Sequence, residues 1–304
     1  MTPPEAGRLA SGFVAVVGRP NAGKSTLVNA LVGTKVAITS DTPQTTRHRL
    51  RAVIDLDDAQ VVLVDTPGLH KPVDALGEQV NRSSMLAFRD VDVVALCIDA
   101  TAPIGPGDAW VARRVAESSA PCVLVLTKAD IADEATIASQ LERARRLVTP
   151  VDEVVLSAET GFNLDLLTAT FVRLLPEGPR YFPRDMTTDQ SIEVMLAEFV
   201  REKVLRNTHD EVPHAVGVAL DDLEFDERRD LATVRCTIYV EQESQKGIIV
   251  GKGGEMVRRI GTEARVDLER LLGSHVYLDL RVKVKKDWRR DASQIKRFGY
   301  GEGL

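Results

Sequence analysis

The chain has 304 residues, of which 44% are hydrophobic and 28% charged, and its formal net charge is −6. This composition excludes disorder as the main state, and the length suits about two domains. No apolar run reaches the ~20 residues of a membrane span, residues 1–11 lack the apolar stretch of a secretory signal, and Cys97, Cys122 and Cys236 sit in apolar runs as buried thiols of a reducing cytoplasm would. Charge is uneven along the chain. Residues 181–245 carry 7 Lys+Arg against 15 Asp+Glu, whereas residues 246–304 carry 14 against 8. One basic end on an acidic chain points to a local surface for a polyanion.

Taken in chain order, residues 13–17 read as a buried strand, ending in a Gly-rich turn before a helix over 25–31. Residues 49–55 alternate like an edge strand. Residues 60–65, 91–99, 122–127 and 154–157 are apolar runs and read as buried strands. Helices are predicted over 76–88, 108–117, 137–147 and 164–175. Apolar strands alternating with amphipathic helices predict an α/β fold with a doubly wound, mostly parallel sheet. Its expected bounds are 12–175, behind an N-terminal tail of 1–11. The Pro- and Gly-bearing stretch 176–186 reads as a linker. Residues 187–304 are expected to form a smaller α+β domain. It has a helix over 191–206, strands over 214–223 and 231–240, a helix over 255–272 and a strand over 276–284.

Gly18, Arg19, Pro20, Asn21, Ala22, Gly23, Lys24 and Ser25 fit G-x-x-x-x-G-K-[ST], between a strand and a helix that continues through Thr26. Glycines permit a tight turn that aims backbone N–H groups inward, and the helix N-terminus adds its positive end. Lys24 suits β- and γ-phosphates, and the Ser25 hydroxyl suits Mg²⁺. The loop therefore predicts a nucleoside triphosphate. Asp65, Thr66, Pro67 and Gly68 follow the next buried strand. A carboxylate there suits Mg²⁺ through water, and the Gly68 N–H suits a γ-phosphate. Between the two motifs lies a polar stretch in which Thr46, or its neighbour Thr45, offers a hydroxyl to the same metal.

Thr127, Lys128, Ala129 and Asp130 end another apolar strand. An Asp carboxylate accepts from both guanine N1–H and the exocyclic amine, a pair adenine lacks, while a Lys stem lies across a base plane. Ser157, Ala158 and Glu159 follow the last predicted strand, where backbone meets the base O6. A metabolic ATPase or kinase would use the same phosphate loop, and Asp130 argues against it. In the basic end, Ile248 precedes Gly251, Lys252, Gly253 and Gly254, a G-x-x-G loop that lets backbone approach a nucleic-acid strand. Arg258 and Arg259 follow on the next helix, and Lys283, Lys285 and Lys286 lie beyond. The acidic stretch 221–230 supports an alternative in which this domain binds a protein instead.

These motifs, in this order, resemble those of the translation-factor-like small GTPases. The second domain resembles a type II KH domain, and a GTPase followed by a KH domain resembles the Era family, over nearly the whole chain. The resemblance implies GTP/GDP and Mg²⁺ as cofactors and binding of single-stranded RNA, namely the 3′ end of 16S rRNA during assembly of the 30S subunit. It further implies a cytoplasmic protein with peripheral association at the inner face of the cell membrane. Nothing in the sequence demands more than a monomer. Two positions depart from the GTPase pattern. Thr127 stands where Asn is usual, keeping a hydroxyl on a shorter side chain. Leu69 stands where many GTPases place a water-orienting Gln, which implies slow hydrolysis without a general base, through the positioning and charge of Lys24, Asn21 and Gly68. Resemblance to the same branch assigns Asn21 a K⁺ ion.

Overall fold

The computed structural model describes residues 9–42, 45–67, 76–78, 91–298 and 300. They fall into two compact units. The first holds the described residues of 9–37, 46–67 and 91–189. The second holds those of 38–45, 76–78 and 190–300.

The first unit is built on six strands: β1 Ala10–Val17, β2 Leu50–Asp55, β3 Ala59–Asp65, β4 Val93–Asp99, β5 Cys122–Thr127 and β6 Asp152–Val155. Their order is β2-β3-β1-β4-β5-β6. Only β2 runs antiparallel; the other neighbours pair in parallel. Helices α1 Lys24–Val32, α2 Pro106–Ala116, α3 Glu134–Arg145 and α4 Leu164–Leu174 cover the sheet. Alternate residues of the central strands β1, β4 and β5 enter different cores. Val14, Val16 and Leu63 pack with Leu27 and Phe171 on one side. Ala15, Val17 and Leu96 pack with Val111 and Val115 on the other. Burial on both faces is why these strands read as unbroken aliphatic runs. Strand order reverses at β1, and the crevice beyond the carboxyl ends of strands at such a point is where α/β sheets bind ligands.

Residues 176–189, expected in part to be a linker, are fastened to this unit. Ser11 N–H donates to Pro176 O and Gly178 N–H to Leu9 O, both within 3.0 Å. Gln60, fully buried in β3, uses its whole carboxamide. Its Nε2 donates to Asp55 Oδ1 and Phe182 O, both at 2.9 Å, and its Oε1 accepts from the N–H groups of Tyr181 and Phe182 at 2.7 and 3.0 Å. Arg180 pairs with Asp55, and Thr188 bridges to Ala52 beyond.

The second unit comprises α5 Ile192–Asn207, α6 Val212–Ala215, β7 Gly217–Asp226, β8 Leu231–Val240, α7 Glu243–Val250, α8 Glu255–Leu272, β9 His275–Val284 and α9 Ala292–Arg297. Its sheet is ordered β7-β8-β9. β7 pairs antiparallel to β8, and β9 runs parallel to β8 from Leu231↔His275 to Val240↔Val284. Two sequence expectations change. The apolar 248–250 run is the end of α7, a helix absent from the predicted order, and only Ile249 of it is fully buried. Gln245 Oε1 starts that helix by accepting from the N–H groups of Glu241 and Gln242 at 2.9 and 3.0 Å. The strand predicted from 214 begins at Gly217, because Pro213 opens the short α6. Of the helix predicted over 76–88, residues 76–78 are helical and the rest lie outside the described residues.

Within this unit, α5 holds the segment that begins at Ile38. Buried Glu202 accepts from Thr39 N–H at 2.9 Å and from Lys203 Nζ at 2.7 Å, and buried Arg201 donates to Thr45 O. Trp288, Phe298 and Tyr300 close the end of the sheet, with Trp288 Nε1 donating to Ala215 O at 2.8 Å. No helix among the described residues is long and apolar enough to cross a membrane.

Replacing Gln60 by Ala strands two N–H groups and a carbonyl. At ~1–3 kcal/mol per buried unpaired group, partly relieved by water, the expected loss is about 2–4 kcal/mol. Hydrogen exchange checks it: the Tyr181 and Phe182 amides should lose their protection while amides of β8 keep theirs.

Candidate nucleotide site and nucleic-acid interface

The loop between β1 and α1 wraps Lys24. Its Nζ donates to Gly18 O at 3.1 Å and Arg19 O at 2.9 Å, curling the loop over the ammonium. Gly18 is required by close approach: a Cβ there would meet Cys97 O at 2.6 Å. Cys97 is an inert floor under the loop, its thiol pushed up to about 12 by burial. Burial also lowers the Lys24 pKa, opposed by Asp65 and Cys97. Arg19 is held against the start of α2 by Asp108, 3.5 Å away.

Three oxygens converge beside Lys24. Ser25 Oγ donates to Asp65 Oδ2 at 2.7 Å, and its Oγ lies 2.9 Å from Thr46 Oγ1. With the Ser25 proton on the carboxylate, Thr46 is the donor of the second bond. Thr45 faces elsewhere, donating to Thr42 O at 2.6 Å, so of the two threonines it is Thr46 that lies beside Ser25. Thr66 Oγ1 donates to Val16 O at 2.9 Å, which ties the end of β3 to β1. Asp65 Oδ1 is buried without a hydrogen-bond partner. Burial raises the Asp65 carboxyl to about 6, against the pull of Lys24, Ser25 and Thr66. An orphaned carboxylate oxygen beside two hydroxyls is a hard oxygen set, the kind Mg²⁺ takes. Pro67 is buried, while Gly68 and Leu69 lie outside the described residues.

The base-side residues come together on neighbouring strand tips. Thr127 Oγ1 lies 3.0 Å from Ala22 O in the phosphate loop and 3.1 Å from Ile98 O, and its one proton serves one of these two carbonyls at a time. Lys128 follows in a left-handed conformation, φ 61°, with Nζ 2.7 Å from Asp99 Oδ2. Ala129 N–H donates to Leu156 O at 3.1 Å, which sets the exposed Asp130 beside the turn at Ser157. Ser157 is buried, its Oγ accepting from Thr160 N–H at 3.2 Å; Ala158 is half-buried and Glu159 exposed. Asn21 is exposed at φ 63°. In the sequence Asp99 marks only the end of a strand; its contact with Lys128 follows from the β4–β5 register, which pairs Asp99 with Thr127.

In the second unit the G-x-x-G loop joins α7 to α8. Gly251 has φ 71°, and a Cβ there would meet Met256 N at 2.8 Å, so only glycine brings the two helix ends this close. Lys252 and Gly253 are exposed, as is Arg258. Ile248 is 50% exposed on α7 beside them. Arg259 is engaged by Glu263 at 3.0 Å. Val282 and Val284 pack on the core, so exposed Lys283 lies on the other face of β9; Lys285 and Lys286 are exposed just past the strand end.

Comparison with known proteins matches this geometry. The family described as 50S ribosome-binding GTPase matches residues 13–128, and the KH domain family matches residues 211–289. GTPase Era of Mycobacterium sp. (strain KMS) is 48% identical over 295 residues, covering 95% of this chain and 98% of that protein. GTPase Era of Mycobacterium tuberculosis matches with the same figures. The chain belongs to the Era family of GTPases. It is similar to solved Era structures: a crystal structure of a tyrosine-to-alanine variant of Aquifex aeolicus Era bound to GDP·AlF4⁻ matches with a TM-score of 0.92 at 36% identity, covering 96% of this chain and all of that one. A structure of Era in complex with MgGDPNP and nucleotides 1506–1542 of 16S ribosomal RNA matches with a TM-score of 0.91 at 36% identity, over 96% and 99% of the two chains.

As an Era-family GTPase the chain hydrolyses GTP to GDP and phosphate. Were Asp65 to serve Mg²⁺ in its ionised form, protons would compete with the metal below about pH 6, the value to which burial raises this carboxyl. The Mg²⁺ concentration for half-maximal nucleotide retention should be flat above about pH 7 and rise about tenfold per unit below about pH 6. Titration of Mg²⁺ against bound fluorescent GDP at several pH values measures it.

Proposed function

We propose that the chain is a GTP-driven switch whose KH unit binds single-stranded RNA, the 3′ end of 16S ribosomal RNA, during cytoplasmic assembly of the 30S subunit. The observation that supports it best is the match over 96% of the chain to an Era structure that holds both MgGDPNP and a 16S rRNA fragment. The site residues fit the same reading. Backbone N–H groups of the loop from Gly18 to Thr26 would surround the phosphates, with Lys24 on the β- and γ-oxygens. Ser25 and Thr46 would hold Mg²⁺ directly and Asp65 through water. Mg²⁺, when bound, supplies positive charge against the charge that develops on the transferred phosphoryl group. Asp130 would select guanine, and backbone at Ser157, Ala158 and Glu159 would close on the base.

For the KH unit, Gly251, Lys252, Gly253 and Gly254 would clamp the RNA backbone, with Arg258, Arg259, Lys285 and Lys286 adding charge and Ile248 an apolar seat for a base. Part of the acidic stretch that supported a protein partner is engaged within the sheet: Asp222 and Glu224 pair with Arg235, and Asp221 accepts from Thr237 Oγ1 at 2.5 Å, while Asp226, Glu227 and Asp230 stay exposed. The match to an Era structure holding an rRNA fragment favours RNA over a protein partner. Replacing Lys252 and Gly253 together by Asp should weaken binding of a 16S 3′-end oligonucleotide at least about tenfold, and leave GTP turnover unchanged. Filter binding beside a phosphate-release assay separates the two; retained RNA affinity rejects the clamp.

The reading assigns hydrolysis to positioning and charge, with Asn21 holding a K⁺ ion beside the phosphates. Turnover should then be several-fold faster in K⁺ than in Na⁺ buffer of equal ionic strength, and Asn21→Ala should abolish the difference. Equal rates in both salts reject the ion.

A further inference from the structure

We propose that Asp99 is a positioning residue for the nucleotide site: it holds the Lys128 side chain in place before a base arrives. The inference rests on reading Lys128 as the residue that lies across the guanine plane. Asp99 is the last residue of β4, and Lys128 follows the last residue of β5. The register Asp99↔Thr127, reinforced by the bond from Ala100 N–H to Thr127 O at 3.0 Å, locks these strand tips side by side.

The pair differs from an ordinary surface ion pair. The Asp99 side chain is only 6% exposed, against 34% for Lys128. A buried carboxylate with a half-open amine makes a charge-assisted hydrogen bond that salt screens weakly. The carboxylate is itself fixed from behind. Its Oδ1 accepts from Thr101 N–H at 2.9 Å and Thr101 Oγ1 at 2.6 Å, leaving Oδ2 aimed at Nζ, 2.7 Å away. Burial pushes the carboxyl up, and the bonds from Lys128 and Thr101 outweigh it, so Asp99 titrates below its usual value and stays ionised at neutral pH.

The backbone adds to this. Lys128 takes φ 61°, a conformation lysine seldom adopts, so its Cβ direction is dictated by the turn and not by preference. Turn and carboxylate fix the two ends of a four-carbon stem. A free Lys side chain forfeits much rotamer freedom when it packs. Here that loss is incurred at folding, so a base meets a preformed face. Asp99 touches no substrate on this account and acts only through Lys128.

Asp99→Asn, in the full chain, keeps the shape and removes the charge. GDP release, followed with a fluorescent analogue, should speed up about 5- to 20-fold. KM for GTP should rise in parallel, with the effect falling on affinity and not on turnover at saturation. In a Lys128→Met background the same Asp99→Asn change should add nothing, because the group it positions is gone. A merely structural role would lower affinity equally in both backgrounds, and that result overturns the proposal, as does unchanged release in Asp99→Asn alone. Should Asp99→Asn not fold, Thr101→Val, which loosens the carboxylate, tests the same point, with a 2- to 3-fold faster release expected only when Lys128 is present. Asp130→Asn serves as the control: if it leaves guanine preference intact, the reading of the base site fails, independently of Asp99.

Discussion

One ammonium group stripped of water sets the terms for the front unit. Lys24 sits inside a loop of backbone carbonyls, its charge disfavoured by burial and sustained chiefly by Asp65. Asp65 is in turn held above its usual range by the same burial. Each group makes the other tolerable, and neither is fully satisfied, since one carboxylate oxygen has no donor. Such an arrangement is expensive as pure scaffold and sensible as a receptor. A polyphosphate with its divalent ion would bring negative oxygens to the ammonium and positive charge to the carboxylate. The α/β sheet serves this by ending β1, β3, β4 and β5 at one crevice, so that the phosphate loop, Asp65, Asp99 and Thr127 occupy adjoining strand tips.

Two loops, one in each unit, share a physical device. In each, a glycine whose Cβ would collide with its neighbours pulls backbone close: Gly18 over Cys97 in the first, Gly251 against Met256 in the second. Backbone N–H groups read the shape of a phosphate and are blind to what it carries. On the proposed reading identity comes from elsewhere, from a carboxylate at Asp130 for the base, and from the apolar and basic side chains around the G-x-x-G loop for a strand.

Much of this was legible in the residues. Strands buried on both faces betray themselves as aliphatic runs, and β1, β3, β4 and β5 were read from that alone. The phosphate loop, Asp65 and the Thr127–Asp130 turn needed only their order along the chain. Features that escaped have two sources: a local signal that reads two ways, and a cause that lies far off in sequence. Helix α7 hides because its apolar end mimics a strand and its capping group, Gln245, looks like any polar residue. The choice of Thr46 over Thr45 depends on which hydroxyl the fold turns toward Ser25. Asp99 acquires meaning only once register sets it beside Lys128.

The belt of residues 176–189 has an implication for where this polypeptide divides. A protease or a surgeon guided by composition would sever it after Leu175, at the Pro- and Gly-bearing stretch. The severed front piece would then carry a carboxamide at the heart of β3 with three of its four partners removed, and β2 would lose the bridge at Ala52. The seam that respects the hydrogen bonding falls after Asp189, whose carboxylate still grips Arg51 at 3.3 Å. What looks like a tether is thus the front unit's own last course of masonry, and the rear unit's main run begins at Gln190.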